Sequence, residues 1–397
     1  MRSRTIRIFA VLTISLFVSI PAIAQVEEEE ISLDYEFAQR LTISAAFPRR
    51  LNISAVEFFI LPEGELLTRA YPASEEKPNL FTAAIDLQQD PLRAFSMVDY
   101  WYRAELNTGE VITSTADTLY YEDNRFDWVQ KDQAPFSIHR YAGDELFAQE
   151  MVDVAQQGLE NIQRYLPLVT PEKVDIYAYA NTADMRDSLQ LSTSSWIGAH
   201  ADPDLGVMVI SLPSGPDQHL EMERQIPHEL MHIMLYHHIG ERYINLPVWL
   251  VEGLASIVEL YPNPDYAILL SSAVNGDNLL EIQSLCTNFP SDATDAYLAY
   301  AQAESFTRYL YDHYGDEAME TLVATYSTGV DCERGVEMVF GKDLAGLQTE
   351  WFEDTFDANG METSIRNLVP WILLLFVVIG GPISVAIIFF MSKREIQ

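Results

Sequence analysis

The segment His228-Glu229-Leu230-Met231-His232 constrains this chain more than any other. On an α-helix, residues four apart lie about 40° apart around the axis, so the two imidazoles share one face. Each can give one neutral nitrogen to the same zinc ion. Glu229 lies one step round the helix, close enough to take a proton from a metal-activated water. The residue types and their spacing demand a helix here, and two nitrogen ligands with an adjacent base point to hydrolytic metal chemistry.

A third ligand is found downstream, in Leu246-Pro247-Val248-Trp249-Leu250-Val251-Glu252-Gly253-Leu254-Ala255-Ser256. Pro247 suits the first turn of a second helix, where a missing N–H costs nothing. Apolar residues at 250, 251, 254, 257 and 258 give that helix a buried face. Glu252 falls on this apolar stretch, where an unpaired carboxylate is costly and a metal would satisfy it. The intervening residues let the first helix finish, turn at Gly240 and return. Two histidines and one glutamate leave a fourth position open, as a catalytic zinc requires. His238 competes as a ligand, but a sharp return would need glycine where Leu235 stands. His237 and His238 read instead as helix-end residues, favourable at the negative end of the dipole. His139, His200, His219 and His313 have no spacing that singles them out.

These motifs, His228-Glu229-x-x-His232 followed by Pro247-x-Trp249-Leu250-x-Glu252-Gly253-Leu254-Ala255, resemble the gluzincin branch of zinc metallopeptidases, and within it the bacterial peptidase MA-like domains. The likeness continues through Tyr300-Ala301-Gln302-Ala303-Glu304-Ser305-Phe306, which opens a helix ending at Tyr314-Gly315. It then takes in Phe340-Gly341-Lys342 and Trp351, so that it covers about residues 140 to 357. The resemblance implies an α+β zincin-like fold and peptide-bond hydrolysis with one catalytic Zn2+ held by His228, His232 and Glu252. It also implies an edge strand that binds substrate backbone by β-addition. Either Trp196-Ile197-Gly198-Ala199-His200 or the 206–212 run could be that edge. It places Tyr297 and Tyr300 near the site, just ahead of a helix that packs there, as candidates for stabilising the oxyanion, with Tyr300 preferred.

Outside this region, Arg2, Arg4 and Arg7 precede an apolar run from Ile8 to Ile20, then Pro21 and the small residues before Gln25. This reads as a secretory signal peptide over 1–24, an uncleaved anchor being the alternative. Residues 368–391 form an uncharged apolar stretch long enough for one transmembrane helix, with Trp371 near its outer boundary and Lys393 and Arg394 just beyond it. The expectation is a single-pass cell-membrane protein with an extracytoplasmic catalytic domain and a cytoplasmic tail of 392–397. A formal net charge of −35 repels phosphate and excludes nucleic acid as a partner. Cys286 and Cys332 either pair, stabilising by roughly 4 kcal/mol in the chain-entropy model, or remain buried thiols.

Residues 25–125 read as an all-β sandwich, immunoglobulin- or fibronectin-like, from the recurrent runs 41–45, 56–60, 81–85, 98–103 and 111–114 with turn formers between. Tyr120 to Trp128 marks the junction, and 126–360 forms the metallopeptidase domain. There Glu145–Leu166 reads as a helix, and 174–179 and 206–212 as strands. The chemistry expected is attack on a peptide bond by a zinc-activated water, with Glu229 as general base and then proton donor to the leaving amine. One alternative is a zinc-binding, non-catalytic adhesion or sensor ectodomain; an intact Glu229 argues against it, because binding needs only the ligands. A second is hydrolysis of a non-peptide amide or ester.

Overall fold

The computed structural model describes residues 30–189 and 198–357, together with Val369 and Trp371. The expected signal peptide, Trp196 and Ile197, and nearly all of the expected transmembrane stretch lie outside these residues. No helix among the described residues is long and apolar enough to cross a membrane. The chain divides into two compact units. One comprises residues up to Leu92 and Met97–Tyr120; the other comprises Arg93–Ser96 and the chain from Tyr121 onward.

The first unit is a β-sandwich built from β1 (Glu30–Glu36), β2 (Arg40–Ala46), β3 (Ile53–Pro62), β4 (Arg69–Pro72), β5 (Ser74–Lys77), β6 (Leu80–Asp86), β7 (Ser96–Leu106), β8 (Val111–Thr113) and β9 (Asp117–Tyr121). One sheet runs β1-β2-β6-β5; the other runs β4-β3-β7-β8, with β9 also paired to β7. Period-2 alternation decides which side chains face inward. Leu41, Ile43 and Ala45 of β2 are buried, as are Phe81, Ala83 and Ile85 of β6. Val56, Phe58 and Ile60 of β3 and Tyr102 and Ala104 of β7 are buried on the other sheet. Phe47, just past β2, meets Phe81 and Tyr102 edge-to-face and so links the two sheets. Four of the five runs legible in the sequence are the half-buried strands β2, β3, β6 and β7; the fifth, 111–114, is β8, which is mostly exposed. The strand β5, Ser-Glu-Glu-Lys, is exposed along its length, so no hydrophobic pattern marks it.

The second unit has a sheet of β10 (Val129–Gln133), β11 (Phe136–Arg140), β12 (Val174–Tyr179), β13 (Ala199–Asp202) and β14 (Val207–Ser211), in the order β10-β11-β12-β14-β13. β11, β12 and β14 are parallel, and β10 and β13 pair antiparallel at the two ends. Every residue of β11 and β14 is buried, as expected of parallel strands covered on both faces. The 206–212 run is thus an interior strand, and β13 is, like β10 at the other end of the sheet, an edge strand. The sequence reading did not separate the two, because β13, Ala-His-Ala-Asp, carries too little apolar surface to read as a strand.

The helices are α1 (Glu145–Tyr165), α2 (Thr182–Ser188), α3 (Gln218–Ile239), α4 (Val248–Ile257), α5 (Asp265–Gly276), α6 (Ala293–Tyr314), α7 (Asp316–Ser327), α8 (Cys332–Phe340) and α9 (Leu344–Phe352). α3 carries the His228–His232 pair and α4 carries Glu252. Tyr297 and Tyr300 lie within α6, not ahead of it. That helix starts at Ala293, about two turns ahead of the Tyr300 at which the resemblance opens it, because the Asp292 side chain accepts from the N–H groups of Thr294 and Asp295 and caps it there. Cys286 and Cys332 are joined in a disulfide. The backbone N–H of Val248 donates to the Cys286 carbonyl at 3.0 Å, which pins the start of α4.

α4 sits unusually close to α6. A Cβ placed on Gly253 would lie 2.0 Å from Thr307 Oγ1 and 2.6 Å from the Ala303 carbonyl oxygen. Glycine is required there by the closeness of a neighbouring backbone. Gly253→Ala must therefore push α4 off α6 and displace the adjacent Glu252. We expect a loss of about 1–3 kcal/mol in denaturant unfolding, together with weakened metal binding. An unchanged unfolding midpoint would show that the α4–α6 contact is softer than this.

Candidate metal centre

α3 is interrupted chemically, though not geometrically, by Pro227, which directly precedes His228. Proline has no N–H, so the Glu223 carbonyl one turn back loses its helical donor. That carbonyl is taken by the N–H of Leu260 at 2.9 Å. The chain leaving α4 is thereby tied to the helix that carries the histidines, and Glu259 is set against His228. Asn161 of α1 holds the same stretch from another side, donating to the Val258 carbonyl at 2.8 Å.

The result is a convergent triad. Glu252 Oε2 lies 3.4 Å from His228 Nε2 and 3.7 Å from His232 Nε2. One ligand atom from each of the three residues falls within 4.8 Å of the others, and no other group of histidines, cysteines and carboxylates among the described residues does so. A tetrahedral zinc about 2.1 Å from each ligand needs them roughly 3.4 Å apart. The donor set and spacing fit such an ion.

The far nitrogens of both rings are engaged. His228 Nδ1 lies 3.0 Å from Glu259 Oε1, and His232 Nδ1 lies 3.0 Å from the Tyr243 hydroxyl. When each Nδ1–H donates to its oxygen, each Nε2 keeps its lone pair toward Glu252 and the metal position. Glu259 is 6% exposed, and its Oε2 has no hydrogen-bond partner among the described residues.

The side chains by themselves distribute charge unevenly. Burial opposes a charge on His228, yet Glu252 and Glu259 outweigh it and hold this imidazole well above its ordinary range. Burial keeps His232 below its ordinary range. Burial pushes the Glu252 carboxyl up, but His232 and His228 more than reverse this, leaving it below the usual carboxylate range. A metal entering here has a proton on His228 to displace.

The triad opens onto a cleft of about 560 Å³, lined among others by His200, Glu229, Tyr243, Tyr266, Tyr297 and Tyr300. The structure thus brings together every site residue read from the sequence: His228, Glu229, His232, Glu252 and Tyr300. The ring centroid of Tyr300 is 6.3 Å from that of His228. Burial, followed by the charges of Glu252 and Glu229, pushes its hydroxyl well up, so it keeps its proton and can donate. His237 and His238 end α3 and do not join the triad.

Sequence reasoning missed Glu259, Tyr243 and His200. Glu259 had a usable signal: it lies seven residues after Glu252, two helical turns along a nearly apolar stretch. Tyr243 and His200 had none, because their placement comes from a short 3-10 helix, Gly240–Asn245, and from strand register.

The chain matches the Peptidase MA superfamily over residues 154–357, and it belongs to that family. No curated protein matches it in sequence. Among solved structures it is similar to the aminopeptidase N family protein from Idiomarina loihiensis, at 8% identity and a TM-score of 0.42, over 81% of this chain and 75% of that one. It is also similar to a mutant of the M1 zinc metallopeptidase from Deinococcus radiodurans, at 11% identity and a TM-score of 0.35, over 78% of this chain and 69% of that one. A third is the cycloalternan-degrading enzyme from Trueperella pyogenes, at 18% identity and a TM-score of 0.18; the match takes in 27% of this chain and spans 13% of that enzyme. Family membership rests on the sequence match.

Two outcomes follow for metal binding. Glu259→Ala leaves the His228 Nδ1–H without its acceptor, and we expect zinc affinity to fall about 10- to 100-fold by chelator competition. The second concerns pH. A raised His228 contributes stability to the metal-free fold that is fully present below about pH 6.5 and is lost as pH rises through the raised value. Metal competes with that same proton, so zinc affinity should climb from pH 6 to pH 8 and beyond the ordinary histidine range. Affinity that is flat with pH would contradict this distribution of protons.

Proposed function

We propose that this chain is a zinc-dependent peptidase that works outside the cytoplasm while anchored in the cell membrane. The observation that carries the reading is the convergence of His228 Nε2, His232 Nε2 and Glu252 Oε2 in an open cleft that Glu229 also lines. A bound zinc ion would supply a Lewis acid for the scissile carbonyl and for the attacking water.

The chain's own residues do the rest. Glu229 accepts the proton of the water and passes it to the leaving amine. β13 offers an edge beside the cleft, where Ala199 and Ala201 can exchange backbone hydrogen bonds with an extended peptide. Tyr300, kept neutral by burial, is a donor for the carbonyl oxygen as it gains charge. Glu259 and Tyr243 orient the two imidazoles.

The substrate is a peptide or protein. Export by a signal over 1–24, anchoring by 368–391 and a cytoplasmic tail of 392–397 complete the proposal. So does a division into a sandwich over 25–125 and a peptidase domain over 126–360. The apolar run, the basic residues that follow it and the strongly negative charge support these assignments. A purely binding role would leave Glu229 without work in the cleft.

The test uses the full-length chain in detergent, its metal content and a peptide library. We expect one zinc per chain and cleavage by the wild type. Glu229→Gln should retain zinc while turnover drops about 10²- to 10⁴-fold. Zinc without cleavage by either form would favour the binding ectodomain, and a chain that takes up no zinc would end this reading.

A further inference from the structure

His200 was unremarkable in the sequence, yet its place in the fold is specific. It lies on β13, opposite Val209 of β14, on an edge of the sheet, and its side chain lines the cleft that holds the metal centre. It enters from the sheet, whereas Tyr300 enters from α6. Its imidazole is near enough to the reacting groups that the charge of Glu229 acts on it and its own charge acts on His232, both of α3.

A row of charges backs it. Asp202, two residues along the same strand, has Oδ1 3.6 Å from His200 Nε2. The same Asp202 oxygen is 2.7 Å from Arg93 Nη2, and Arg93 also holds Asp204 at 2.6 Å. Arg93 belongs to the short 93–96 segment, which is part of the same unit. Asp202 is mostly buried, with 14% of its side chain exposed, and Arg93 fixes it in place. A histidine held by a fixed carboxylate on one side keeps its remaining ring nitrogen for the cleft.

We propose that His200 is a catalytic residue that donates a hydrogen bond from the sheet side of the cleft to the scissile carbonyl oxygen as it becomes negative, with Asp202 and Arg93 as its positioning residues. This rests on the peptidase reading above. No bond to His200 forms or breaks; it shares a proton with the oxygen and keeps it. The electrostatics agree with this role. Burial opposes a charge on His200, but Asp202 and then Glu229 outweigh burial and the Arg93 charge, and the imidazole is raised above its ordinary range. The groups that face it are Asp202 on its own strand, Glu229 and His232 from α3, and Arg93 from the 93–96 segment. The β14 residue in register with it, Val209, carries no charge.

The test has two arms on the full-length, zinc-loaded chain, with metal content measured throughout. Inorganic phosphate serves as a tetrahedral anion, its affinity measured by calorimetry near neutral pH. We expect His200→Gln to retain zinc and to weaken phosphate about 10-fold, with Asp202→Asn weakening it less. In peptide cleavage, His200→Gln should lower kcat roughly 10²- to 10³-fold with KM little changed, as for loss of an oxyanion donor. Unchanged phosphate affinity with zinc retained would overturn the proposal, and so would loss of zinc in His200→Gln, which would make the residue structural. If the wild type binds phosphate through His200 but cleaves no peptide, the peptidase reading fails and the anion-donor role of His200 stands. If the wild type cleaves and His200→Gln cleaves equally well, the peptidase reading stands and His200 is excluded.

Discussion

The metal centre is arranged around one largely buried carboxylate, Glu252. Glu252 sits on a helix that is otherwise apolar, and an isolated ionised carboxylate there would be costly enough to neutralise or to unfold its surroundings. It is tolerated because two imidazoles converge on it at 3.4 and 3.7 Å. The three side chains come from two helices, so the site exists only while α3 and α4 keep their relative placement. Two backbone features maintain that placement. Pro227 frees the Glu223 carbonyl for Leu260, which stitches the end of α4 to α3. Gly253 lets α4 press directly against the Thr307 side chain and the Ala303 carbonyl of α6. Neither residue carries chemistry, yet each determines where a ligand stands.

The same logic extends outward from the metal position. Each imidazole is fixed by its far nitrogen, one by a carboxylate and the other by a phenol. The two partners differ in kind. A carboxylate strengthens the proton on His228, whereas the neutral Tyr243 leaves His232 to the effect of burial. A centre built this way is poised between a proton and a metal at His228, while His232 is already in its ligating form. The cleft then adds groups from opposite parts of the fold: tyrosines from α6 on the helical side, and His200 from the edge strand.

Legibility differed sharply between residues. His228, Glu229 and His232 were readable because helical periodicity alone places them on neighbouring faces. Glu252 was readable because an acidic residue on an apolar helix needs an explanation. The half-buried strands of the sandwich and the interior strands β12 and β14 were readable from apolar runs. Exposed or polar strands such as β5, β10 and β13 were not, since nothing in a short polar segment distinguishes strand from loop. The choice between 206–212 and the segment ending at His200 as the sheet edge turned on pairing, which a single strand's composition does not encode. Tyr300 was placed near the site through family likeness, and its helix proved to begin earlier because of an aspartate cap.

The sequence by itself determined the reactive set: two histidines one turn apart, a glutamate between them and a second glutamate on an apolar helix downstream. These are local facts, fixed by a helix repeat of about 3.6 residues and by the cost of burying charge. Tertiary structure decided which oxygen meets each ring nitrogen, which strand forms the edge and which histidine beyond the motif enters the cleft. Glu259, Tyr243 and His200 reach the site from a helix exit, a 3-10 helix and a strand, and their positions depend on packing between segments far apart in the chain. That information resides in contacts across sequence distance, and no local pattern carries it.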